Sequence, residues 1–231
     1  MKFIFSIYII MLTSIGLSQS FITPFKSLPL GNEIIVETST GEVINGKLSS
    51  GTLVGPKLIK LTVKDESGKK HKFKSKSGEV ARVKIKLGEL AKLALAAESG
   101  GTIKGLIKTD FNEVLNREYA ILERALQPKK KNKYELMQLL NPGFDSIIKV
   151  YVDPKAKETM SIGGIIGGDA KSYLIVKNGA KSYKLKKNKY KKEFKELFGD
   201  CDDMMNKIGE SKIKWSGLAE HVFMYDQLCG K

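Results

Sequence analysis

EIIVETSTGEVINGKLSSG, residues 33–51, alternates apolar and polar side chains on both sides of Thr40-Gly41. A period of two means an extended chain with one buried and one wet face, and a Gly-containing turn between two such runs means a hairpin. The same grammar continues in KLIKLTVKDESGKKHKFKSK (57–76), with a turn at Ser67-Gly68, and in EVARVKIKL (79–87). In the third run Ile59, Leu61 and Val63 share a face opposite Lys60, Thr62 and Lys64. In the fifth, Ala81, Val83, Ile85 and Leu87 oppose Arg82, Lys84 and Lys86. Five short strands at this spacing predict a small antiparallel barrel over residues 19–88, and Gly46 inside a strand marks a bend where such a barrel curls.

Downstream, GELAKLALAAESGG (88–101) reads as a short helix, so residues 89–116 form a helical or irregular connector. Residues 117–231 then read as a second unit. Its candidate strands are EYAILERAL (118–126), KYELMQLLN (133–141), SIIKVYVD (146–153), KSYLIVKN (171–178) and KSYKLKK (181–187), the last two joined through Asn178-Gly179. From there the period becomes helical. Asn188 is placed to cap a helix with Tyr190, Phe194, Leu197 and Phe198 on one face, and Gly199 stops it. DDMMNKI (202–208) is a second short helix. Ser216 opens a third, in which Leu218, Val222, Tyr225 and Cys229 form one stripe. The expected fold is therefore α+β, mainly β: a small barrel, a β-meander and C-terminal helices.

MKFIFSIYIIMLTSIGLSQS (1–20) has a charged start, a short apolar core and a small-residue end, the order of a secretory signal peptide over residues 1–18. Its apolar run is shorter than the roughly 18 residues of a membrane span, and no later stretch is long and apolar enough. The expected location is extracytoplasmic: periplasm, surface or medium. In an oxidising compartment the only two cysteines, Cys201 and Cys229, are expected to pair. Zinc wants four N or S ligands at short spacing, and the chain holds two Cys and two His. A catalytic thiol needs a base beside it. No spacing in the chain implies a cofactor.

The formal net charge is +15, carried by 37 Lys and only 3 Arg. Arginine supplies the planar fork that reads bases, whereas lysine is a hydrated point charge. Such a surface suits weak contact with polyanions and argues against sequence-specific nucleic-acid readout. Three runs carry the signal: Lys70, Lys72, Lys74 and Lys76 along one strand face; Lys129, Lys130 and Lys131 at a hairpin tip; Lys184, Lys186 and Lys187 where a strand meets a helix. These are the candidate contacts for anionic lipid, glycan or another polyanion.

GEVINGKL (41–48) followed by LIKLTVKDESGKKHKFK (58–74) resembles the opening strands of SH3-like and Sm-like barrels, which implies the fold and no site. ERALQPKKK (123–131), LLNPGFDSIIKVYVDP (139–154), SYLIVKNG (172–179), YKKEFKELFGDC (190–201) and MYDQLCG (224–230) resemble a group of secreted and envelope proteins of Bacteroidota-type bacteria with no assigned activity. That resemblance implies an envelope or secreted location and supplies no catalytic residue.

Other stretches read more simply. SIGGIIGGDAKSY (161–173) is glycine-rich but precedes a strand and lacks the GK[ST] ending of a phosphate loop. His221 lies off the Cys229 stripe, so a surface or boundary position is expected. His71 is expected at a barrel edge, Trp215 as a core plug, and Asp200, Asp202 and Asp203 as helix-start acids. The expected function is a non-enzymatic binding or structural protein. A hydrolase-type enzyme with an unrecognised site, or an envelope assembly or folding factor, is the alternative.

Overall fold

The computed structural model describes residues 21–22, 24–88, 118–126, 134–156, 170–180 and 182–230. The expected signal peptide, the 89–116 connector, Lys129–Lys131 and the glycine-rich stretch to residue 169 lie outside the described residues. No helix among the described residues is long and apolar enough to cross a membrane.

Strands β1 (Glu33–Thr38), β2 (Val43–Val54), β3 (Lys57–Lys64), β4 (Lys70–Lys74) and β5 (Val80–Lys86) fall where the alternation puts them. They do not close the barrel alone. β6 (Tyr119–Leu126) and β7 (Tyr134–Gln138) insert between β5 and β3, so the cyclic order is β2-β1-β5-β6-β7-β3, every pair antiparallel, with β4 added on β3. The two strands grouped above with residues 117–231 therefore complete the first barrel. Long β2 makes closure possible: Glu33–Glu37 pair with its first half, and Lys57–Lys64 with its second. At the crossover a Cβ on Gly46 would collide with the Lys64 carbonyl oxygen, so only glycine lets the strands approach there.

Of three register shifts among the described residues of the barrel, two move residues that the alternation placed inward. Thr52 pairs with Lys60 and Leu53 with Leu58, leaving Ile59 extra; Leu58 takes the inward place expected of Ile59. Likewise Glu37 pairs with Arg82 and Thr38 with Val80, so Val80 is buried instead of Ala81. The barrel interior is then Ile34, Val36, Ile44, Leu48, Leu58, Leu61, Val63, Phe73, Val80, Val83, Ile85, Leu122 and Leu136. The N-terminal segment lies along this barrel: Phe25 and Leu28 pack on its core, and the Phe25 amide donates to Gln138 Oε1 at 2.8 Å.

A second sheet follows, in the order β10 (Tyr183–Lys186), β9 (Ser172–Lys177), β8 (Ile148–Val152). Its β9–β10 hairpin turns through Asn178 (φ 50°) and Gly179 (φ 67°), the two left-handed residues that a type I′ turn demands. Tyr151, Leu174 and Val176 pack on Ala125, Met137 and Leu139 of the β6–β7 side of the barrel. Ile148, Val150, Ile175 and Leu185 belong to a separate core with the helices. This sheet is thus buried on both faces, which is why LIV in β9 is continuously apolar. Asn141 fixes the corner from β7 to β8: its amide donates to the Phe144 and Ile148 carbonyls (2.8 and 2.7 Å) and accepts from the Val150 amide (2.9 Å).

The tail forms α1 (Tyr190–Phe198), α2 (Asp202–Lys207) and α3 (Leu218–Cys229). Tyr190, Phe194, Leu197 and Phe198 are buried as a face of α1, and Leu218, Val222 and Tyr225 as a stripe of α3. Cys201 and Cys229 are disulfide-bonded, joining the start of α2 to the end of α3. The N-cap positions are Lys189 and Gly217, neither making a side-chain cap; Asn188 and Ser216 sit instead in 3₁₀ turns that precede the helices.

Candidate polyanion-binding surfaces

The predicted lysines divide between two places. The first is the outward face of β2–β3–β4. Inward, Leu61 pairs with Phe73 and Val63 with His71; outward, Lys60 therefore faces Lys74 and Lys64 faces Lys70. Lys64 is also opposite Lys47 on β2, whose other cross-strand neighbour, Glu33, is bonded to Lys86 at 2.9 Å. Lys72 stands opposite Thr62, and Lys76 follows in a 3₁₀ turn. Like charges directly opposite destabilise a sheet by up to about 1 kcal/mol a pair. Lys47, Lys60, Lys64, Lys70, Lys72 and Lys74 are exposed and make no ion pair among the described residues. At the β3–β4 turn, Asp65 is tied down by Ser67 Oγ (2.7 Å), His71 Nε2 (2.7 Å) and the Lys69 amide (3.0 Å), and the first two hold its carboxyl at about 2. Glu66 beside it is exposed.

The opposite wall of the barrel is built differently. There Lys84 bonds Glu37 (2.6 Å), Lys86 bonds Glu33 and Arg82 bonds Glu123 (3.0 Å); on β3 itself, among the described residues, only Lys57, at the end next to β7, has an acid, Glu135 (2.7 Å). Lysines on one side are matched by acids across the strands; on the other they face lysines. Lys47, Lys60 and Lys64 were not among the predicted contacts. Their signal was the polar phase of the alternation, which shows the face and not the strand opposite.

The second place is a cleft of about 510 Å³ at one end of the second sheet, lined by Lys155, Lys171, Ser172, Lys184, Lys186, Lys187 and Asn188. Buried Asp153 organises it. The carboxylate accepts from Ser172 Oγ (2.7 Å), from the Lys155 amide (2.9 Å) and from Lys184 Nζ. Burial alone would raise its pKa, but these three donors outweigh burial and hold it below the usual carboxylate range. Predicted Lys184 is therefore committed to an internal partner. Lys186 stands opposite Ser172, and the Lys187 amide donates to the Lys171 carbonyl at 2.9 Å, which sets two lysine backbones side by side where the ladder ends. Lys155 and Lys171 are isolated in sequence and join the site only because three strands converge there.

The remaining candidates resolve into structure. His221 is buried, not at the surface: its ring lies among Tyr190, Phe194 and Phe198, and its Nδ1 is 2.5 Å from Tyr190 Oη. Burial pushes the imidazole down to about 4 and the phenol far up, so a protonated phenol donates to a neutral ring. This has a pH consequence. The folded value lies below the unfolded one of about 6.5, so between them the unfolded chain binds more protons. Stability should be full above about 6.5 and fall by on the order of 2 kcal/mol as pH drops toward 4. Urea titrations of His221→Phe should show a flatter slope of stability against pH over that window. An unchanged slope would contradict the assignment.

Trp215 is a core plug, stacked on Tyr173 with its indole N–H donating to the Ala170 carbonyl at 3.0 Å. Asp202 and Asp203 sit in the first turn of α2; Asp200 instead binds Lys177 Nζ (2.9 Å) and accepts from Tyr225 Oη (2.9 Å). Among the described residues no group of three His, Cys, Asp or Glu is placed to hold a metal ion. Compared with protein-family models, curated proteins and solved structures, the chain matches none.

Proposed function

We propose that this protein is a non-enzymatic extracytoplasmic binding or structural protein whose lysine face makes weak, salt-sensitive contact with anionic polymers or lipid head groups. The observation that carries the reading is the asymmetry of the barrel: acids neutralise the lysines of the β1–β5–β6 wall, while on β2–β3–β4 lysine stands opposite lysine. A surface that bears this repulsion gains most when phosphate or another anion fills it, releasing counterions as it does so. The Cys201–Cys229 bond and the signal-like N-terminus support the location. His221 lends no weight to a hydrolase, since its contacts are aromatic rings and a phenol.

A second reading has its own observation. β4 ends the seven-stranded sheet and β10 ends the three-stranded one, and both carry lysines. Lysine on an open edge blocks further strand pairing, so the same residues would serve solubility. Salt titration separates the two. Binding to phosphatidylglycerol-containing vesicles and to duplex DNA should fall linearly in log K against log salt. Lys60→Glu/Lys72→Glu/Lys74→Glu should weaken it at least tenfold and reduce the slope. A flat response in wild type leaves edge protection as the role.

A further inference from the structure

The lysine cleft differs from the lysine face in shape, and shape sets what it can take. The face is open and spread over three strands. The cleft is a partly open depression of about 510 Å³ whose lining includes five lysines and Asn188. That volume lies within the range of small-ligand sites. Its carboxylate, Asp153, is buried and already satisfied by Ser172, the Lys155 amide and Lys184, so it anchors the floor and leaves the opening cationic. Lys155, Lys171 and Lys186 are exposed and make no ion pair among the described residues. Lys171 and Lys187 are held adjacent by the backbone bond that prolongs the β9–β10 ladder, and Lys184 and Lys186 are two apart on β10 and so point the same way.

We propose that this cleft is a discrete binding site for a compact oligophosphate. The proposal rests on the polyanion reading and narrows it to one site and one ligand chemistry. The ammonium groups of Lys155, Lys171 and Lys186, which have no ion-pair partner among the described residues, each need an anionic oxygen. A chain of linked phosphates provides negative oxygens on every phosphorus within a few ångströms, whereas a tricarboxylate of the same size carries fewer charges. Lysine binds phosphate as a point charge and needs no planar partner, which fits a site without arginine. Asn188, displaced from the capping role that its sequence position implies, contributes a neutral donor at the rim.

Inorganic tripolyphosphate is the probe, measured by titration calorimetry on the intact disulfide-bonded protein at low salt. Saturable 1:1 binding is expected. Lys171→Glu/Lys186→Glu should weaken it at least tenfold. Lys60→Glu/Lys72→Glu/Lys74→Glu, on the barrel face, should stay within about twofold of wild type. The two double-checks run in opposite directions: the cleft variant should keep vesicle binding, and the barrel variant should lose it. Non-saturable uptake, equal loss in both variants, or citrate binding as tightly at matched ionic strength would overturn the cleft assignment. The barrel-face reading would survive any of these, and would fail separately if vesicle binding ignored salt. Both Lys→Glu sets alter exposed side chains, and unchanged melting temperatures verify that the variants are folded.

Discussion

Glu123→Ala destabilises the protein by about 3 to 5 kcal/mol, the effect expected when one partner of a buried charge cluster is removed. Glu123 is 5% exposed although it lies on the outer face of a barrel strand. It accepts from Arg82 of β5 (3.0 Å), from Lys149 of β8 (2.8 and 3.0 Å) and from the Tyr151 hydroxyl (2.5 Å). Burial would raise its pKa, but Lys149, Tyr151 and Arg82 prevail and keep it below the ordinary value. Truncation leaves two cations facing each other and a buried phenol without its acceptor, at the seam where the second sheet meets the barrel. Glu123→Gln keeps the volume and part of the bonding and should lose roughly half as much. Urea unfolding followed by far-UV dichroism measures both; a loss under about 1 kcal/mol for the alanine variant would show that water replaces the network freely.

Removing the disulfide has an effect of similar size and different reach. Cys201 and Cys229 are 28 positions apart, and closing such a loop is worth about 3.5 kcal/mol in the chain-entropy view. The helices it joins are 6 and 12 residues long, too short to persist in water without tertiary support. Cys201→Ala/Cys229→Ala should therefore lower global stability by about that amount. Hydrogen exchange should accelerate first across α2 and α3, while amides of β1, β2 and β5 stay protected. Uniform acceleration would mean that the tail and barrel open only together. No change would mean that packing of Phe198, Met204 and Tyr225 already holds the helices.

Much of this architecture was legible in the sequence because local periods report local burial. The first five strands, the Asn178-Gly179 hairpin and the aromatic face of α1 all follow from neighbours a few residues apart, and the cysteine pair from there being only two. What was hidden depends on distance. β6 and β7 read as the start of a second unit because their partners, β5 and β3, lie a connector or more away. Alternation also counts positions without seeing insertions, so the bulges at Ile59 and Ala81 moved two inward places by one residue. His221 looked external because it is polar and off the stripe; the hydroxyl that receives it stands 31 residues earlier on α1. The lysine runs were visible as runs. Their division was not, because it depends on which strand stands opposite, and the cleft adds two lysines that no run contains.

The three-stranded sheet is a party wall. Cutting the chain near residue 141 would not release two soluble halves: one fragment would bare Ala125, Met137 and Leu139, the other Tyr151, Leu174 and Val176. Each would offer a sticky apolar panel to whatever lay nearby. Truncations meant to isolate the barrel or the tail should therefore yield aggregates, and the smallest well-behaved piece of this protein is one that keeps both sides of that wall.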